Sequence, residues 1–129
     1  MSGVEYVTKL AQEEAVRLDP DRLGALYSQM GEAGAEDVIC RAMEELAIRM
    51  GQCERHYRQN QWAELRKCAR SLVAIADQMG MNMLSRVALD VTAAVDHQDW
   101  VATAATLSRL LRIGERSLTA IWDLQDMSV

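Results

Sequence analysis

The stretch Arg70-Ser71-Leu72-Val73-Ala74-Ile75-Ala76-Asp77-Gln78-Met79-Gly80-Met81-Asn82-Met83-Leu84 decides the fold. Within it Leu72, Ala76 and Met79 continue an apolar line that begins at Trp62, Leu65 and Ala69, with spacings alternating between three and four. That is the stripe a helix buries against its neighbours. Gly80 predicts the stop, because glycine takes the left-handed turn that ends helices at no steric cost. Asn82 starts the next helix, whose buried face is Leu84, Val87, Ala88, Val91 and Val95. Opposite the first stripe, Arg66, Arg70, Val73 and Asp77 follow one another at four, three and four. They form a solvent-facing line that Val73 and Ala74 make partly apolar.

Toward the N-terminus, Ile39, Met43, Leu46, Met50, Cys53 and Tyr57 alternate spacings of four and three and predict a helix over 35–58. Asn60 is placed to cap the helix that follows. Toward the C-terminus, Asp96-His97-Gln98-Asp99 makes a turn, and a last helix runs from Trp100 to about 125. Its seam is Ala104, Leu107, Leu111, Gly114, Leu118 and Ile121, widened by Leu110 and Trp122. A glycine inside a helix costs roughly 1 kcal/mol relative to alanine, so Gly114 predicts the close approach of a neighbouring backbone. Asp19-Pro20-Asp21 is a helix start, with Asp19 as N-cap and Pro20 at the first position, separating short helices near 4–17 and 20–30. Gly31-Glu32-Ala33-Gly34 is the break that follows.

Four strong seams joined by connections of a few residues must lie antiparallel. The fold class is therefore all-α: an up-down-up-down antiparallel four-helix bundle with one or two short N-terminal helices packed on it. The chain is expected to be one domain over 1–129, with the short helices in 1–33 and the bundle core in 34–126. The last helix outruns the third, so Leu118, Ile121, Trp122 and Leu124 need cover from elsewhere. An N-terminal helix carrying Val4, Val7, Ala11, Ala15 and Leu18 on one face can supply it, and so can a second copy of the chain.

Composition agrees with helices. Half of the 129 residues are hydrophobic, phenylalanine is absent and methionine occurs eight times, which gives a core of aliphatic and adaptable side chains. A chain of this length buries roughly 65 to 70% of its unfolded surface and is stable without disulfides or metal. Cys40, Cys53 and Cys68 are odd in number and lack Cys-x-x-Cys spacing, the pattern of free thiols in a reducing, cytoplasmic compartment. No apolar stretch approaches a membrane span, and the first residues carry no leader pattern. The net charge of −5 disfavours nucleic acid, as do the few aromatics and the absence of a helix-turn-helix signature. Charge is nonetheless uneven, since residues 49–70 hold six basic side chains against two acidic ones. Arg55, His56 and Arg58 suit the end of a helix, where positive charge complements the dipole, whereas Arg66, Lys67 and Arg70 lie within the next helix.

The stretch from Arg70 to Leu84 resembles the phosphoacceptor helix of histidine-containing phosphotransfer (HPt) domains. Leu72, Ala76, the Met79-Gly80-Met81 turn and Leu84 fall where that family keeps a buried leucine, a small residue, a Leu-Gly-Ala turn and a further leucine. The chemical half of the motif is missing: Arg70 stands at the histidine position, Val73 at the lysine and Ala74 at the glycine. The resemblance implies a degenerate, HPt-like bundle that docks a response-regulator receiver domain, or a histidine-kinase-related protein, without transferring phosphate. It also implies that the docking residues are Arg66, Arg70, Val73, Ala74 and Asp77, with the Arg70 guanidinium facing the receiver's clustered carboxylates.

The remaining residues suggest little chemistry. There are no inward Glu-x-x-His repeats, no nucleophile with an adjacent base and no glycine-rich phosphate loop, so no enzyme and no cofactor is expected. Cys53 and His56 are only two ligands and make no metal site, and Cys53 reads as a small core residue. His56 near a helix end and His97 in a turn read as surface or cap residues, with phosphotransfer through either as an alternative. Two further alternatives stand. Arg66 and Arg70 are ordinary solvated residues near Glu64 and Asp77, or the chain is an oligomerisation module whose dimer surface is Leu118 and Trp122.

Overall fold

The computed structural model describes residues 16–127, and side chains as far as Leu124. Val4, Val7, Ala11 and Ala15 lie outside the described residues, and 16–19, at the end of the first expected helix, are not helical. Four helices follow: α1 (Pro20–Arg58), α2 (Trp62–Gln78), α3 (Asn82–Asp96) and α4 (Trp100–Met127). The described residues contain no strand. Each helix packs on two others, in the order α1–α2–α3–α4 and back to α1. They enclose one core that includes Leu46, Leu65, Leu72, Leu84, Val91, Leu110 and Ile121.

Asp19 caps α1, its carboxylate accepting the Asp21 amide at 3.0 Å, with Pro20 in the first turn. α1 is kinked at Gly31, whose φ of 73° and ψ of 173° belong to a region open essentially to glycine alone. The expected gap at 31–34 thus narrows to one residue. Before it, Leu23, Leu26 and Tyr27 rest on the core, and after it Ala35, Ile39, Ala42, Leu46, Met50 and Cys53 are buried. Met43 and Tyr57, placed on the seam by their spacing, are only partly buried.

The α2 stripe is buried as expected at Leu65, Ala69, Leu72, Ala76 and Met79, with Cys68 added and Trp62 left half-exposed. Asn60 does not cap α2. It adopts φ 55° in the turn, a left-handed conformation asparagine tolerates, and Gln61 stands at the N-cap without a side-chain capping bond. The next turn depends on Gly80, at φ 72°, whose carbonyl accepts the Asp19 amide at 2.8 Å. The start of α1 is thereby tied to the α2–α3 turn.

α4 buries Leu107, Gly114 and Ile121 of the expected seam and Leu110 beside it, and adds Thr103, Ile113 and Ser117. Ala104, Leu111 and Leu118 are only partly buried. The reason is that α4 packs on both α3 and α1, which widens its buried face beyond one line. Polar members of that face satisfy themselves: the Thr103 and Ser117 hydroxyls donate to the carbonyls of Asp99 and Ile113, each at 2.8 Å. Gly114 does lie at a close approach, but its neighbour is the Met50 side chain rather than a backbone.

Candidate functional site

The line Arg66, Arg70, Val73, Ala74 and Asp77 sits on α2 as expected, but its members meet different surroundings. Arg66 is held by α3. Its Nε donates to Asp96 Oδ1 at 2.6 Å and its Nη2 to Oδ2 at 3.2 Å, a two-point pair between half-exposed side chains. The hydrogen bond and charge of Arg66 hold the Asp96 carboxyl below its ordinary value, and those of Asp96 raise the guanidinium. The partner expected near Arg66 was Glu64 or Asp77; the one it takes lies thirty residues away on another helix.

Because Asp96 ionises more readily when folded, the pair contributes stability above the ordinary carboxylate pKa and loses it as pH falls through the depressed value. Asp96→Asn is therefore expected to melt slightly below wild type at pH 7. The two melting curves should converge once pH is well below about 4.

Arg70 is the midpoint of α2, one helical turn beyond Arg66, and is exposed. Among the described residues no carboxylate pairs with it, although its charge reaches Asp96 and contributes to lowering that pKa. Lys67 beside it is also exposed. Val73, expected in solvent, is half-buried and packs on the core. Ala74 and Asp77 are exposed but face the first limb of α1 across an open groove, opposite Arg22, Ala25, Leu26 and Gln29. The limb thus occupies one flank of the line, and the open part is its middle, around Lys67 and Arg70.

At the end of the bundle nearest Arg66, the Trp62 and Trp100 rings stack with centroids 4.5 Å apart, and Tyr57 meets Trp62 edge-on at 5.8 Å. Trp62 and Arg66 are one turn apart on α2, but their partners lie on different elements, since Asp96 ends α3 and Trp100 begins α4 across the 97–99 turn. Neither contact was anticipated, because each depends on how α2 is set against another helix.

Both histidines serve turns. His56 Nδ1 meets the Gln61 side-chain oxygen at 2.8 Å, and His97 Nδ1–H donates to the Ala93 carbonyl at 2.7 Å. Neither stands at mid-helix. Cys53 is fully buried and Cys68 nearly so, while Cys40 is exposed, and all three are free thiols. Among the described residues no three His, Cys, Asp or Glu side chains are arranged to hold a metal ion, and no helix is long and apolar enough to cross a membrane. Of the suggested dimer surface, Leu118 is partly buried against the core, whereas Trp122 is 58% exposed and the nearby Leu124 47%. Val16 covers part of this end of α4, beside Thr119, Ala120 and Asp123.

Compared with known protein families, curated proteins and solved structures, the chain matches none.

Proposed function

We propose that this chain is an up-down-up-down antiparallel bundle similar to HPt domains. It binds a receiver domain, or a related histidine-kinase protein, through the middle of α2, and neither accepts nor passes on phosphate. Alternating helix direction is supported by the connections of three residues at 59–61, 79–81 and 97–99, which leave no room for a crossover. The observation that carries the functional part is Arg70: an exposed guanidinium at the midpoint of α2, without an ion-pair partner among the described residues, where the resemblance calls for histidine. Arginine keeps its charge at any physiological pH and has no nucleophilic lone pair to take up a phosphoryl group. Such a face is suited to a carboxylate-lined pocket and unsuited to transfer.

The test is a panel of purified receiver domains from the source cell, each titrated against the full chain and, once phosphorylated, incubated with it. At least one receiver is expected to bind in the micromolar range while the chain acquires no acid-labile label. A panel in which nothing binds, or one in which the chain is labelled, would overturn the proposal.

Self-association is a second reading, favoured by the exposure of Trp122 and Leu124 near the end of α4. Mass in solution decides it: a dimer converted to monomer by Trp122→Glu is its expected signature, and a monomeric wild type removes it.

A further inference from the structure

Cys53 and Cys68 come from different helices and meet inside the α1–α2 contact. The Cys68 thiol donates to the Arg49 carbonyl at 3.1 Å. In a helix the carbonyl of residue 49 is also the acceptor for the amide of residue 53, one turn on. The Cys68 sulfur therefore lies in the groove beside the turn that carries Cys53, and each thiol perturbs the ionisation of the other. Cys53 is wholly enclosed, whereas Cys68 keeps 8% of its surface in solvent. Cys40 is exposed and lies thirteen residues before Cys53 on α1, roughly 20 Å along the helix axis, so it takes no part.

We propose that Cys53 and Cys68 form a redox-active dithiol that closes to a disulfide between α1 and α2 on reaction with a hydroperoxide. Cys68 is the attacking sulfur. The interaction with Cys53, helped by the charges of His56 and Arg49, favours its thiolate against the opposing effect of burial, and it alone of the pair is open to a small oxidant. The interaction with Cys68 and burial push the Cys53 thiol up, which suits a resolving thiol that stays protonated until needed.

In the first step the Cys68 thiolate attacks the peroxide oxygen. An S–O bond forms, the O–O bond breaks, and the alkoxide leaves to be protonated. In the second step the Cys53 sulfur attacks the Cys68 sulfenic acid. The S–S bond forms, the S–O bond breaks, and the departing hydroxide takes the Cys53 proton as water. Two thiols and one hydroperoxide give one disulfide, one alcohol and one water, with two electrons passing from sulfur to the peroxide. The site does not depend on the identity of the partner bound at Arg70.

The test uses the full chain carrying Cys40→Ser, treated with graded hydrogen peroxide and followed by intact mass and by peptide mapping without reductant. A loss of about 2 Da is expected, reversed by dithiothreitol, with the Cys53 peptide joined to the Cys68 peptide. With Cys53→Ala added, Cys68 should instead gain about 16 Da or more, having no thiol to resolve it. Three results would overturn the proposal: two free thiols at a dose that oxidises free glutathione, Cys68 overoxidised while Cys53 stays reduced, or links only between separate chains. The Cys40→Ser protein decides alone if the additional substitution prevents folding.

Discussion

Gly80→Ala is expected to destabilise the fold by about 2 to 4 kcal/mol, lowering the melting temperature by roughly 10 °C. Two costs combine. At φ 72° an L side chain is strained, by about 1 to 2 kcal/mol. In addition, an added Cβ would stand 2.8 Å from the Asp19 carbonyl oxygen and 3.1 Å from its amide nitrogen. Those atoms belong to the backbone that caps α1, so they cannot yield without loosening the Asp19 amide bond to the Gly80 carbonyl. Gly114→Ala supplies the contrast. There an added Cβ would overlap the sulfur of the buried Met50 side chain, which must repack, so the roughly 1 kcal/mol of helix propensity that alanine regains is offset. Thermal melts of both variants are expected to place Gly80→Ala the lower, because its clash is with backbone and Gly114→Ala's is with a side chain.

Arg70→Glu is expected to weaken binding of a receiver domain at least tenfold, and by about 2 to 4 kcal/mol if the guanidinium is buried in the complex. A carboxylate there would face the partner's own carboxylates, replacing attraction with repulsion. The fold should not notice. Arg70 is exposed and makes no ion pair among the described residues, so its melting behaviour should change by no more than about 0.5 kcal/mol. Lys67→Glu, one turn away and also exposed, is expected to act chiefly on the association rate and to lose its effect as salt is raised.

How far the sequence could be read follows from which interactions are local. Leu65, Ala69, Leu72, Ala76 and Met79 were legible because helical periodicity alone places them on one face, and all are buried. Asp19 and Pro20 were legible because a cap is settled within three residues. Gly31 was legible as a break, though its single-residue width depends on a backbone conformation that spacing does not reveal. In α4, Ile113 and Ser117 were missed. Ile113 falls between the lines drawn from Leu107 and Leu111, and Ser117 is polar but returns its hydroxyl to its own helix. A helix with two packing partners buries more than one line, and one-dimensional spacing underestimates it.

The candidate site was legible as a face and illegible as a set of contacts. Arg70 is exposed at mid-helix, as the stripe required. That Arg66 would be claimed by Asp96, and that Trp62 would stack on Trp100, depends on the register of α2 against its neighbours, which no local pattern contains. The groove that sets Ala74 and Asp77 opposite the first limb of α1 depends in turn on the direction the chain takes at Gly31.

The most direct test of Arg70 as the residue standing in an imidazole's place is phosphoryl transfer from a bound, phosphorylated receiver, measured on wild type and Arg70→His side by side. Wild type is expected to remain unlabelled, while Arg70→His gains an acid-labile label that Arg70→Gln does not. Label on wild type, or an Arg70→His protein that binds the receiver and stays unlabelled, would contradict the account.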